Sequence, residues 1–280
     1  MIQNFFRSQI HLFDLLDEHW ESPKVSRQIS NLVVSFFAVG MLIAFLNYMG
    51  LHLPTEDLSP FFAIELAFNV LLVFEILGLI FLIPKSVADS LGKQFEIVSL
   101  LLLRDAFKEF GHFLGEINWQ SEFLLELLPI VSNAFGAIIV FFITGIFYRI
   151  QRHQRITKST EEQIKFMSIK KLLSICLTLI FVFLGVLDGI SVIQNNQVIF
   201  SIKTFYTLLI FADVFILLFS LRYTSKYFNL FRYSSFALAT IFLRLTLSAP
   251  AFYNVLFAVI AGLMVLGVTA IYNYLLKDKA

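Results

Sequence analysis

The sequence has few of the residues that build soluble enzymes, disulfide frameworks and nucleic-acid binders. Charged residues make up 15% of its 280 residues, whereas an average soluble domain has about 25%. A single cysteine, Cys176, excludes an internal disulfide framework. The net charge of +1 leaves no broad basic surface for a nucleic acid.

Motifs that carry enzyme chemistry are also missing. The sequence has no glycine-rich phosphate loop, no HExxH and no GxSxG. Its five histidines are scattered along the chain. We therefore expect a protein that is not an enzyme, with no catalytic residues, no metal site and no cofactor.

Apolar residues dominate instead, at 58% of the chain with 34 phenylalanines and a mean hydropathy of +0.81. A membrane-spanning helix needs about 20 mostly apolar residues. Eight segments meet this length: 29–51, 61–83, 95–114, 124–148, 172–193, 205–222, 231–248 and 250–276. The third and seventh carry charges. In the eighth, Pro250 suits the first turn of a helix. The sequence predicts an all-α, polytopic integral membrane protein with eight transmembrane helices.

Lysine and arginine collect in alternate connections, which predicts an orientation in the membrane. They are concentrated in segments 84–94, 149–171 and 222–232. Segments 52–60 and 115–123 contain acidic residues and no lysine or arginine. Because positive residues accumulate on the cytoplasmic side, both termini are predicted to be cytoplasmic.

The segment 149–171 carries cations at every third position: Arg149, Arg152, Arg155 and Lys158. This spacing is similar to that of a voltage-sensing helix. However, these four residues follow an apolar span and do not lie inside it. We interpret 149–171 as a basic cytoplasmic loop that contacts anionic lipids.

Residues 1–22 predict an amphipathic helix that ends at Ser22. Apolar side chains recur every three or four positions: Ile2, Phe6, Ile10, Phe13, Leu16 and Trp20. The segment lacks an apolar signal core, so the first span is expected to be an uncleaved anchor. One interpretation is a helix lying in the inner headgroup layer. The other, favoured by its acidic polar face, is a docking helix for a protein partner or for a cytoplasmic patch of the same chain.

The spans divide into two four-helix halves, 29–148 and 172–276, on either side of the basic loop. Three pairs of residues lie 136 positions apart in the two halves: Ser99 and Ser235, Arg104 and Thr240, and Lys108 and Arg244. Such a parallel repeat implies a pseudo-two-fold axis along the membrane normal.

Several ionisable residues fall inside the predicted spans: Glu75, Arg104, Asp105, Lys108, Asp213 and Arg244. A charge at the centre of a membrane helix costs about 2.5–3.5 kcal/mol, so each needs a partner or a wet cavity. Glu75 and Arg104 lie at similar depth and are expected to pair, whereas an Asp213–Arg244 pair requires a longer reach. Such charges either fix the register of the helices or line a path for an ion, a proton or a substrate.

The second half carries a pattern in five residues: Asp213, Arg232, Tyr233, Thr240 and Arg244. The pattern resembles the phosphate-starvation-inducible E (PsiE) family of small bacterial four-span membrane proteins. The resemblance covers residues 170–277, and the first half is at most a diverged copy, since Glu96 stands where the family has an arginine. It implies a multi-pass protein of the bacterial inner (plasma) membrane that is linked to nutrient stress. It implies no reaction.

Two functional hypotheses remain at the level of the sequence. The first is a channel or transporter for ions or small solutes, with the intramembrane charges lining its path. The second is a non-transporting protein that recruits or regulates a partner through residues 1–22 and the basic loop. An oligomer is compatible with either hypothesis.

Overall fold

The computed structural model describes residues 2–49, 62–110, 121–151, 160–195, 202–220, 222 and 227–277. Within these ranges the chain forms nine helices and no strand, which confirms the all-α class. The helices are α1 Ile2–Trp20, α2 Pro23–Tyr48, α3 Phe62–Leu82, α4 Val87–Phe110, α5 Ser121–Ile150, α6 Thr160–Asn195, α7 Ile202–Ser220, α8 Tyr227–Thr246 and α9 Tyr253–Lys277. Each of the eight predicted spans overlaps one helix from α2 to α9.

Four of these helices are long and apolar enough to cross a membrane. They are α2, α5, α6 and α9, over Pro23–Asn47, Leu127–Ile150, Glu162–Ser191 and Tyr253–Leu275. Shorter apolar stretches occupy Leu66–Leu82 in α3 and Thr204–Ser220 in α7. The chain is therefore a multi-pass helical membrane protein. The number of eight crossings stays a prediction, because α3 and α7 are too short in their apolar stretches and the charged helices α4 and α8 do not meet the criterion.

Local sequence signals explain where several helices begin. Ser22 caps α2, since its side chain accepts a hydrogen bond from the Val25 N–H at 3.3 Å, and Pro23 occupies the first turn. The prediction that Pro250 opens the last helix is wrong, because α9 begins three residues later. Phe252 adopts a left-handed φ of 72°, and a helix starting at Pro250 could not continue through that conformation.

The core has two parts. In the first, the hairpins α4–α5 and α8–α9 pack together around Phe95, Phe147 and Phe236. The helices α5 and α9 approach closely at two glycines. A Cβ on Gly136 would lie 2.6 Å from the Val255 side chain, and one on Gly262 would lie 2.8 Å from Ile143.

The second part of the core joins α3, α6 and α7, around residues such as Ile76, Leu177 and Leu209. Between the two parts, α3 packs on α4 and α7 packs on α8. Equivalent helices of the two predicted halves also meet, α4 with α8 and α5 with α9. This arrangement fits the proposed repeat, which stays a prediction.

The helix α1 packs against the same chain. Phe13 is 2% exposed and packs on Phe81 of α3, and Trp20 stacks on Phe81 with ring centroids 5.3 Å apart. Lys171 forms an ion pair with Asp14, and Lys85 forms one with Glu21. Of the sequence-based alternatives, the structure supports contact with a patch of the same protein.

The predicted basic loop 149–171 is shorter than expected at both ends. The helix α5 continues to Ile150, and α6 already begins at Thr160. With 36 residues, α6 is about 54 Å long at 1.5 Å per residue, so its first turns extend beyond a hydrocarbon core of about 30 Å. Arg149 is exposed. Arg152, Arg155 and Lys158 lie outside the described residues, and their lipid contact stays a prediction.

Candidate functional site

The first buried ion pair joins α3 to α4. Arg104 Nη1 donates a hydrogen bond to Glu75 Oε2 at 2.6 Å, and Nη2 donates to Asp105 Oδ1 at 3.4 Å. The side chains of Arg104 and Glu75 are 10% and 16% exposed. The structure thus pairs Glu75 with Arg104, as their similar predicted depth in the membrane suggested.

The second ion pair joins α7 to α8 and is looser. Arg244 Nε donates to Asp213 Oδ2 at 3.3 Å, with side chains that are 1% and 11% exposed. The other two guanidinium nitrogens of Arg244, Nη1 and Nη2, are buried and make no hydrogen bond within the described protein. An arginine side chain has five N–H donors, so this pair uses a small part of what Arg244 can donate.

The two pairs correct one detail of the predicted repeat. The sequence alignment placed Lys108 opposite Arg244 and Arg104 opposite Thr240. In the structure, Arg104 pairs with Glu75 of the preceding helix, just as Arg244 pairs with Asp213. Arg104 lies one helical turn before Lys108, the residue that the predicted repeat placed opposite Arg244. The physical reason is depth, since Arg104 reaches the carboxylate of Glu75.

A cavity of about 240 Å³ lies beside the first pair. Its polar lining includes Asn69 of α3, Arg104, Asp105 and Lys108 of α4, Tyr206 of α7, Thr246 of α8, and Ser248. It also borders the turn between α8 and α9, so we call this end of the bundle the turn end. This volume has room for several water molecules.

A second cavity, of about 60 Å³, lies toward the other end of the bundle. We call this end the basic end, because Lys85, Arg149 and Lys171 lie there. Polar residues of this cavity come from four helices: Ser90 and Gln94 of α4, Lys170 of α6, Asp213 of α7, and Tyr233 and Thr240 of α8.

Lys170 is a buried cation that the sequence analysis missed. It is 3% exposed, and its Nζ donates to the Lys85 carbonyl oxygen at 2.6 Å. Its charge also acts on Asp213, which lines the same cavity. It lies within the predicted basic loop 149–171. A helix extended back to Thr160 would have placed it on one face with Phe166 and Ser174.

The second ion pair lies between the two cavities. Asp213 and Thr240 line the smaller cavity, and Thr246 lines the larger one. Arg244, between these threonines on α8, borders neither cavity and is among the largest fully buried side chains. The Asp213–Arg244 pair thus separates the two cavities, and we call the two cavities together with the two ion pairs the polar route.

Tyr206 connects the two ion pairs electrostatically. It is 3% exposed, and the charges of Arg104, Glu75 and Arg244 all act on it. Its hydroxyl is buried and makes no hydrogen bond within the described protein. An aromatic residue in an apolar span gives no sequence signal of such a position.

The residues of the PsiE-like pattern separate into two groups. Asp213, Tyr233 and Thr240 border the smaller cavity. Arg232 packs instead against α9, with its guanidinium carbon 4.6 Å from the centre of the Tyr272 ring. A cation over an aromatic ring in a desolvated site contributes about 2 kcal/mol. Arg232 therefore stabilises the packing of α8 against α9.

Glu96, which replaces this arginine in the first half, also contacts a tyrosine of the following helix. The Tyr148 hydroxyl donates to Glu96 Oε1 at 2.6 Å. In both predicted halves, therefore, a charged residue in the first half of the third helix meets a tyrosine near the end of the fourth. In the first half the charge is negative and the contact is a hydrogen bond. In the second half the charge is positive and lies over the face of the tyrosine ring.

In the ranges that the structure describes, no group of three or more His, Cys, Asp or Glu residues could hold a metal ion. The chemical capacity of the site therefore lies in its charged side chains, its unpaired donors and its two cavities. Comparison of the chain with protein-family models, with curated proteins and with solved structures finds no match.

Proposed function

We propose that the protein conducts or transports an ion or another small solute across the membrane along the polar route. The observation that carries this proposal is the placement of one buried ion pair between two cavities that extend toward opposite ends of the bundle. Ionisable residues inside membrane proteins commonly mark solute and proton pathways.

The main competing explanation is that the ion pairs only fix the register of the helices. Pairs with that role would be enclosed by apolar side chains. Here Arg104 and Asp105 line the larger cavity, and Asp213 lines the smaller one. Cavities beside the charges favour a path for a solute over a purely structural role.

The geometry also suggests how the route opens. Asp213 makes one contact of 3.3 Å with Arg244, and the charge of Lys170 acts on it from the smaller cavity. If the carboxylate exchanges Arg244 for Lys170, the barrier between the cavities loses one of its two side chains. Such an exchange keeps Asp213 beside a cation in a medium of low dielectric, but it leaves Arg244 without its carboxylate, a cost that another negative group would have to offset.

The test is ion flux in proteoliposomes that contain the purified full chain. Flux is measured at both voltage polarities and across a pH gradient, for the wild type and for Asp213→Asn. The matched control is Asp188→Asn, since Asp188 lies in α6 and lines neither cavity. Equal incorporation and equal helix content are required of all three proteins.

Flux in the wild type that changes in Asp213→Asn and not in Asp188→Asn would support the proposal. Absence of flux in the wild type under every condition would overturn it. Equal changes in both variants would also contradict the proposed route, because Asp188 lies away from it.

The regulatory hypothesis has less support. It needs residues 1–22 to offer a surface to a partner, but Phe13 and Trp20 already pack against α3. The predicted orientation, with the basic end in the cytoplasm, and the link to bacterial nutrient stress are retained as parts of the proposal. They rest on the charge distribution and on the PsiE resemblance.

A further inference from the structure

Three hydrogen-bond donors near the Asp213–Arg244 pair have no acceptor within the described protein. They are Nη1 and Nη2 of Arg244 and the hydroxyl of Tyr206. Both residues are at least nine-tenths buried. Buried polar groups in proteins nearly always have a partner, and an unpaired donor is most costly when it is charged. A ligand that satisfies these atoms must accept hydrogen bonds.

The balance of charge near Arg244 also favours a negative ligand. Arg104 has two carboxylates beside it, Glu75 and Asp105. By contrast, Arg244 and Lys170 share one carboxylate, Asp213. With Lys108, which lines the cavity beside the first pair, cations and carboxylates are equal in number there, whereas cations outnumber carboxylates at the second pair.

Cations also mark the whole length of the route. Lys108 and Arg104 line the larger cavity, Arg244 lies between the two cavities, and Lys170 lines the smaller cavity. Three carboxylates, Glu75, Asp105 and Asp213, lie among these four cations, so the formal charge of the route is positive by one. A cleft with an excess of one sign of charge and low-dielectric walls concentrates ions of the opposite sign. An anion entering at either end would meet a cation before it reaches Arg244.

The dimensions of the route limit the size of a solute that crosses it. Such a solute must pass the smaller cavity, of about 60 Å³, which has room for only a few water molecules. A guanidinium fork offers two parallel N–H groups and matches planar oxyanions. From these observations we infer that the solute is a small inorganic anion of about the size of nitrate, and that it binds to Arg244 Nη1 and Nη2 beside the Tyr206 hydroxyl.

As a statement about transport, this inference rests on the proposed function. As a statement about binding, it can be measured without any flux. The bound anion would also compete with Asp213 for Arg244 and thus favour the exchange of Asp213 toward Lys170. Anion binding would then be the event that opens the route.

The experiment measures thermal unfolding of the purified full chain in detergent with sodium nitrate or sodium gluconate at equal ionic strength. A ligand that binds the folded state alone raises its stability in a saturable way. Sulfate and phosphate are avoided, since they stabilise proteins generally by exclusion from the surface. The variants are Arg244→Lys, which keeps the charge and loses the fork, and Tyr206→Phe, which loses one hydroxyl. Tyr148→Phe is the matched control, because its hydroxyl binds Glu96 away from the route.

The wild type should show a saturable nitrate stabilisation that gluconate does not give. Tyr206→Phe and Arg244→Lys should weaken the apparent nitrate affinity by about tenfold, the effect expected for losing one hydrogen bond to a charged ligand. Tyr148→Phe should bind nitrate like the wild type. If Arg244→Lys does not fold, Tyr206→Phe alone decides the outcome.

Equal effects of nitrate and gluconate on the wild type would overturn the inference. Unchanged nitrate affinity in Tyr206→Phe would overturn it too, since the anion would bind elsewhere. Cation-selective flux without nitrate stabilisation would leave the proposed function intact and contradict the inference that the solute is an anion. Nitrate stabilisation that depends on Arg244 and Tyr206, without flux in proteoliposomes, would support the binding site and contradict transport.

Discussion

Glu75–Arg104 and Asp213–Arg244 link the same pair of helices in each predicted half, but they are built differently. In the first pair, Arg104 contacts two carboxylates, and the shorter contact is 2.6 Å. In the second pair, a nearly inaccessible arginine makes one contact of 3.3 Å and keeps two nitrogens unpaired. The first arginine is largely neutralised by the protein itself. The second retains capacity to bind a further negative group.

The difference illustrates how one arrangement can serve stability in one place and function in another. A buried charge with saturated hydrogen bonds holds its helices together and gains little from a ligand. A buried charge with unused donors is less stable, and a ligand that supplies acceptors can recover part of that stability. We therefore expect Glu75–Arg104, although its arginine lines the larger cavity, to contribute more to stability, and Asp213–Arg244 to be the pair that binds a ligand.

The largest expected effect is on stability at the first pair. Arg104→Gln should cost about 3–5 kcal/mol, because it leaves the carboxylates of Glu75 and Asp105 without their cation. Arg244→Gln should cost less, since Asp213 can still interact with Lys170. Denaturant unfolding of both variants in detergent, with the wild type as reference, gives the two free energies. A greater loss in Arg244→Gln would reverse the assignment of roles.

The next effect concerns the sharing of Asp213 between two cations. Asp213→Asn and Lys170→Met should be non-additive, with a coupling energy between about 0.5 and 3 kcal/mol. The physical reason is that each variant removes one side of the same charge interaction inside the smaller cavity. The coupling is obtained from unfolding of the wild type, both single variants and the double variant. Additive free energies would mean that Lys170 does not act on Asp213.

A smaller effect should separate two tyrosines. Tyr148→Phe should cost about 1 kcal/mol, because it removes a hydrogen bond to Glu96. Tyr206→Phe should be neutral or slightly stabilising in the absence of nitrate, since its hydroxyl has no acceptor in the protein. Unfolding free energies of the two variants test this contrast. A clear destabilisation of Tyr206→Phe would show that its hydroxyl has a structural partner.

The smallest effect is expected outside the bundle, at α1. Burial raises the pKa of the Asp17 carboxyl, and the nearby Lys85 opposes that shift. A carboxyl whose pKa is raised in the docked state favours docking while it is protonated. Docking should therefore weaken as pH rises through the raised pKa, and Asp17→Asn should remove this dependence.

Limited proteolysis of the α1 segment across a pH series measures this docking. Asp14→Asn is the control, since Asp14 forms an exposed ion pair with Lys171, and such pairs contribute about 0–1 kcal/mol. It should lower docking slightly and leave the dependence on pH in place. An unchanged pH profile in Asp17→Asn would contradict the prediction.

Much of the fold follows from the sequence because membrane helices are long and apolar. Every predicted span overlaps a helix, and the amphipathic pattern of residues 1–22 located α1. The errors concern where α6 and α9 begin, because the start of a helix depends on backbone conformation as well as on composition. Nothing in the composition around Pro250 shows that Phe252 turns left-handed, and charged residues alone did not show that α6 starts at Thr160.

The candidate site was partly predictable for a related reason. Charges in an apolar span are conspicuous, and equal depth along two helices was enough to pair Glu75 with Arg104. Lys170 was missed because burial of a loop-like lysine depends on how α6 packs against α3 and α7. Tyr206 was missed because a tyrosine in an apolar span looks like any other aromatic residue. The cavities depend on side-chain packing across four helices, which no local pattern encodes.

The close seam between α5 and α9 has a mechanical consequence. With Gly136 against Val255 and Gly262 against Ile143, these two helices interlock and cannot slide past each other without steric overlap. Under the proposed function, we therefore expect any rearrangement of helices to occur at α3, α6 and α7, on the far side of α4 and α8 from this seam. These three helices carry Glu75, Lys170, Tyr206 and Asp213.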